Sequence, residues 1–150
     1  MATEGSCRQR VVVGVDGSAE SVEAMRWAAA YATATRATIG AVLSWHYPAA
    51  VGVAAGVAAK PVDDDVRTSM LAVMGKVLTE VFGTTAPENV HAKITYGHPA
   101  VVLVDESHDA DLLVVGNRGQ GAFAGMLTGS VSTHRVSNSH CAVVVVRGAA

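Results

Sequence analysis

Five short runs dominate the chain: RVVVGV from Arg10, TIGAVLSW from Thr38, VHAKITY from Val90, DLLVVG from Asp111 and CAVVVVR from Cys141. Most are apolar at nearly every position and rich in β-branched residues, so they have little polar face to turn toward water. Strands of this kind belong inside a parallel sheet covered by helices on both faces. The stretches between the runs supply those helices. In SAESVEAMRWAAAYATAT, Val22, Met25, Ala29 and Ala32 recur at helical spacing, Ser18 can cap the start, and Glu20 and Glu23 lie near the favourable end of the dipole. In DDDVRTSMLAVMGKVLTEVFG, Val66, Met70, Val73, Val77 and Val81 are expected on one face, with Gly83 marking the end. Pro99 opens a third, shorter helix at a favoured first position, and SVSTHRVSNSH leads into the last strand. The order β-α-β-α-β-α-β-α-β predicts a doubly wound, Rossmann-like α/β domain with right-handed crossovers and a mainly parallel sheet.

The 150 residues, half of them hydrophobic, suffice for one compact core and are too few for two. Residues 1–150 are therefore expected to form a single domain, with residues 1–9 a flexible leader and residues 46–60 (HYPAAVGVAAGVAAK) a mobile loop of no clear period. A formal net charge of −2 and scattered basic residues argue against nucleic acid as a partner. No run approaches the roughly 20 apolar residues of a membrane span, and MATEGSCRQR lacks an apolar stretch, so a cytoplasmic protein is expected. Cys7 and Cys141 have neither metal-like spacing nor a disulfide framework; Cys141 reads as a buried small hydrophobe. The six histidines form no zinc pattern, and no G-x-S-x-G nucleophile elbow occurs.

In doubly wound sheets ligands sit beyond the carboxyl ends of the strands, where successive connections switch faces. The loops after the first and fourth runs are then the ones to inspect. The first holds Asp16-Gly17-Ser18. Asp16 can accept hydrogen bonds from a ribose or a base amine, or it can cap the first helix or its turn. The second begins the stretch VVGNRGQGAFAGMLTGSVS, with Gly116 and Gly119 at the turn and Gly129-Ser130 at the start of the last helix. Backbone N–H groups at such a helix start form a phosphate cradle; a flexible loop with a Gly-Ser cap explains the same residues. A Walker A loop is excluded, because no lysine follows Lys93. GQGAFA fits G-x-G-x-x-A but has no acidic residue at the tip of a following strand, which weakens a dinucleotide reading. His98 stands at a strand tip, where a turn role outweighs a catalytic one.

The spacing Gly116-x2-Gly119-x9-Gly129-Ser130, together with VGVDGS, GHPA and DADLLVVGNRG in that order, resembles the ATP-binding branch of the universal stress protein family. The resemblance spans almost the whole chain. It implies a five-stranded sheet of order 3-2-1-4-5 and a homodimer in which the last strand, Cys141 to Arg147, pairs with its copy. An uncharged β-branched edge gains from such cover. By the same resemblance Asp16 and the backbone near Val15 and Ser44 would face adenine and ribose, and Val115 and Gly116 would border the ribose. Gly119 and Gly129 would admit the phosphates, the backbone of Val131 would lie alongside, and Ser130 and Ser132 would donate hydroxyl bonds. Arg118 would meet phosphate or solvent. Mg²⁺ or Mn²⁺ would bridge the phosphates of ATP, without a protein ligand identified for it. Val15 and Ser44 depart from the residues commoner at their positions, threonine and a small apolar residue, which puts affinity in question rather than the backbone contacts. The implied activity is nucleotide-dependent regulation through an unknown downstream protein, by binding rather than catalysis, since no base to orient a water is evident. A cyclic-AMP binder, a nucleotide-independent dimeric interaction protein and an adenylyl-transferring enzyme are the competing readings; the last lacks a His-x-Gly-His element.

Overall fold

The computed structural model describes residues 8–45, 64–117 and 141–147. Within them the chain runs β1 (Arg10–Val15), α1 (Ala19–Thr35), β2 (Thr38–Trp45), α2 (Asp64–Phe82), β3 (Val90–Tyr96), α3 (Pro99–Glu106), a 3₁₀ turn (Ser107–Asp109), β4 (Leu112–Gly116) and β5 (Ala142–Val146). The strands form one sheet of order β3-β2-β1-β4-β5, and every pairing is parallel. The expected leader and the residues 46–60 loop lie largely outside the described residues, as does the helix expected before β5. Gln9, at the inner end of the leader, is anchored: its carbonyl accepts from Thr38 N (2.8 Å) and its side-chain oxygen from the Tyr31 hydroxyl (2.7 Å).

Alternation along the strands divides the apolar residues between two cores. Val11, Val13, Val15, Ile39, Leu43, Leu112 and Val114 turn toward α1 and α2, while Val12, Val42, Leu113 and Val115 turn toward α3. The outer strands are less buried. β3 exposes His91 and Lys93, and β5 exposes Ala142 and Val145 while half-burying Val143, Val144 and Val146.

The helices end where local chemistry requires. α1 is rich in alanine, and Ala24, Met25, Ala28 and Ala32 are buried against the sheet; burying a side chain of the size of Met25 stabilises by roughly 1.5–3 kcal/mol. Its last turn closes through Arg36 in the left-handed region (φ 60°), a conformation that glycine usually supplies. α2 ends as expected at Gly83 (φ 80°). Its buried positions are Met74 and Val77, with Val66, Met70, Val73 and Val81 half-buried, so the expected face is turned to the core and Met74 joins it. Arg10, Lys93 and Glu106 tie the sheet to α3: the Glu106 carboxylate accepts from Arg10 Nη2 (3.1 Å) and from Lys93 Nζ.

Candidate functional site

The C-terminal ends of β1 and β4 lie side by side, and β1 is followed by its neighbour β2 on one side of this pair while β4 is followed by its neighbour β5 on the other, which makes this edge the switch point. β1 gives way to a turn that only glycine adopts easily at its centre, with Gly17 at φ 82°. Asp16 Oδ1 accepts from Ser18 N (2.9 Å) and from Ser18 Oγ, and Ser18 Oγ in turn accepts from Ser21 N (3.2 Å). Asp16 therefore takes up the turn-stabilising role that was one of its two readings. Its charge also stands at the positive end of the α1 dipole.

Ser44, at the end of β2, donates its hydroxyl to the Gly97 carbonyl (2.6 Å), while Gly97 N–H donates to Trp45 O (2.8 Å). These bonds hold the β3–α3 turn against β2. Trp45 packs edge-on to Tyr96, with ring centroids 4.8 Å apart. His98 caps α3 by accepting from Ala100 N at Nδ1 (3.2 Å), the turn role expected of it, which puts the ring proton on Nε2.

Val15 and Val115 have their side chains in the core, so only their backbone can face a ligand. Gly116 has a packing reason of its own. A Cβ there would stand 2.8 Å from Glu20 Cβ and 2.9 Å from the Glu20 carbonyl carbon and oxygen, so the first turn of α1 rests directly on the tip of β4. Arg118, Gly119, Gly129, Ser130, Val131 and Ser132 lie outside the described residues.

One residue at this edge was missed by the sequence reading. Asn117 follows Gly116; its backbone N–H donates to Val146 O (2.9 Å), and its Oδ1 is buried without a hydrogen-bond donor among the described residues. Asp16 and Asn117 thus furnish acceptors where β1 and β4 end. Acceptors suit the donor-bearing parts of a nucleotide, its sugar and base, whereas phosphates need N–H and O–H donors.

Elsewhere, a cleft of about 250 Å³ opens between α2 and β3, lined by Trp45, Arg67, Leu71, Met74, Ala92, Ile94 and Tyr96. It lies on the α2 side, away from the tips of β1 and β4. Cys141 is half-buried rather than fully buried; burial, then the nearby Asp111 charge, pushes its thiol pKa up, away from the reactive thiolate. Among the described residues, no three His, Cys, Asp or Glu side chains are grouped to hold a metal ion, and no helix is long and apolar enough to cross a membrane.

The sheet order and the glycine turn after β1 define an α/β domain of the doubly wound class, a class in which ligand crevices lie beyond the carboxyl ends of the strands at the switch point. Comparison with known proteins narrows that class: the universal stress protein family profile matches residues 8–147, and the chain belongs to that family. A universal stress protein of Mycolicibacterium smegmatis is 36% identical over 145 residues, covering 92% of this chain and 48% of its own. The chain spans about half the length of the first curated relatives it matches. Among solved structures, a universal stress protein in complex with cAMP superposes with a TM-score of 0.68 at 26% identity, covering 94% of this chain and 98% of the other. UspA from Lactobacillus plantarum gives 0.66 at 25% identity, covering 94% and 99%.

Proposed function

We propose that the chain is an adenine-nucleotide-binding regulator, with ATP as its ligand. The observation that carries this reading is the switch-point edge, where acceptors from Asp16 and Asn117 stand at the tips of adjacent strands. The phosphate end of the reading rests on the spacing Gly116-x2-Gly119-x9-Gly129-Ser130. Glycine at these points lets backbone N–H groups approach phosphate, and Ser130 and Ser132 add hydroxyl donors. Mg²⁺ or Mn²⁺ would travel with the phosphates and offset their charge. Output is by binding, in the cytoplasm, with nucleotide occupancy altering a surface read by a downstream protein.

The chain is further proposed to act as a homodimer through β5. Among the described residues that strand pairs only with β4, and it is half-exposed and uncharged over Ala142–Val146, the type of edge that invites a second strand. Sedimentation should give twice the mass of the 150-residue chain, and Val145→Lys should shift it toward the monomer; a monomeric parent protein rules this out.

Cyclic AMP is the second reading, favoured by the relative solved with that ligand. Denaturing freshly purified protein and identifying released nucleotide by mass spectrometry, followed by calorimetric titration with ATP and cyclic AMP at equal magnesium, separates the two. Gly119→Val and Gly129→Val should each abolish ATP binding while sparing the fold, and cyclic AMP should be less sensitive to Gly129→Val. Absence of released nucleotide and of any heat with either ligand defeats the proposal.

A further inference from the structure

Asn117 is fixed at its backbone by Val146 and carries a buried oxygen with no donor among the described residues. A buried amide oxygen in that state has lost its water without gaining a partner, and native proteins keep few such atoms. Its place in the sheet indicates what it serves. Carrying the register of Val13 with Val114 past the strand ends sets Asp16 level with Asn117, and carrying that of Val15 with Leu43 sets Ser44 level with Asp16. Leu113 and Val115 belong to the α3-side core, as does Val42, so alternation brings Asn117 and Ser44 to that same side. The Ser44 hydroxyl serves Gly97 and Asp16 Oδ1 serves Ser18. Among the described residues, Asn117 Oδ1 is the buried side-chain oxygen left with no donor.

We infer that Asn117 reads the nucleoside part of the ligand, its Oδ1 accepting a hydrogen bond from a sugar hydroxyl or an exocyclic base amine. Phosphate oxygens cannot fill the position, because at neutral pH they only accept. The inference rests on the nucleotide reading above and assigns within it a residue that discriminates by donor groups.

Calorimetric titration of the whole chain with ATP, 2′-deoxy-ATP, 3′-deoxy-ATP and inosine triphosphate tests it in the parent protein, in the near-isosteric Asn117→Leu and in the truncation Asn117→Ala. In the parent, the analogue lacking the donor read by Asn117 should bind about tenfold more weakly than ATP. In both variants that penalty should vanish, and the particular analogue identifies hydroxyl or amine. The ligand-free thermal midpoint of Asn117→Leu should not fall, since the Oδ1 it removes has no partner among the described residues. Penalties that pass unchanged into both variants overturn the inference while leaving nucleotide binding intact. A lowered ligand-free midpoint with unchanged discrimination also overturns it, making Asn117 a purely structural residue. A parent protein that binds none of the four nucleotides removes the nucleotide reading itself, and this assignment with it.

Discussion

Replacing Gly116 by alanine places a methyl group where α1 already stands. The added Cβ would lie 2.8 Å from Glu20 Cβ and 2.9 Å from the Glu20 carbonyl, and two of these three atoms are backbone. Rotamer change cannot relieve that contact, so either the first turn of α1 or the tip of β4 must move. The helix is not free to move: its start is held by Ser18 and Asp16, and Met25 and Ala28 are fully buried beneath it. Overpacking of this kind costs about 1–3 kcal/mol. For a chain of this length that should lower the melting midpoint by roughly 2–12 °C. Urea unfolding without nucleotide, followed by far-ultraviolet circular dichroism, isolates the packing effect from any ligand contact. The urea midpoint should fall with the denaturant slope unchanged. A Gly116→Ala protein as stable as the parent would show that α1 does not rest on β4 as described and that Gly116 is free to serve a ligand alone.

Gly75 supplies the opposite case: it is exposed in the middle of α2 with nothing within 4 Å of a built Cβ, so Gly75→Ala should stabilise by about 0.8–1 kcal/mol in the same urea assay. Ser18→Ala removes the acceptor for Ser21 N and a donor to Asp16, and should cost about 0.5–2 kcal/mol. Combined with Asp16→Ala the losses should not add, because both residues serve one turn; additive losses would contradict the shared network. Glu106 tests the tie between sheet and α3. Burial alone raises its carboxyl pKa, but hydrogen bonds and charge from Lys93 and Arg10 together hold it below the ordinary value. A lowered folded value means stability present above the unfolded pKa and lost as pH falls through the folded one. Glu106→Gln should therefore lose stability at pH 7, by about 1 kcal/mol or less per exposed pair, and the gap to the parent should close as pH falls below about 4.3. A gap that widens with acid would reverse the assigned sign.

The strands were legible because burial on both faces leaves a direct mark: an apolar run with no alternation. Val11 to Val15 and Leu112 to Val115 show it plainly, and both are buried throughout. Helix punctuation was legible for a similar local reason, since Ser18, Gly83 and Pro99 act within one turn of where they stand. What escaped depended on distant neighbours. Met74 joins Val77 on the buried side of α2 because of where the helix crosses the sheet, which its own period does not fix. Arg36 closes α1 in a left-handed conformation although no glycine announced it. Gly116 read as a point of ligand approach, and only the folded chain brings Glu20 against it. The burial of Met74 and the contact at Gly116 depend on long-range neighbours, with no signature in the local string.

Asn117 is the instructive middle case, because a signal was present and went unused. β1, β2 and β4 each carry a polar residue where their apolar run gives out, namely Asp16, Ser44 and Asn117, and parallel register turns those three positions into one level. In a parallel sheet all strands end at the same edge, so polar residues that terminate adjacent strands must converge there whatever their separation in sequence. Glycine spacing marks where backbone must yield to a neighbour or a ligand; the polar terminators mark which atoms wait at the edge. On the proposed nucleotide reading, the two together favour a donor-bearing nucleoside, rather than phosphate alone, as the group received at the ends of β1 and β4.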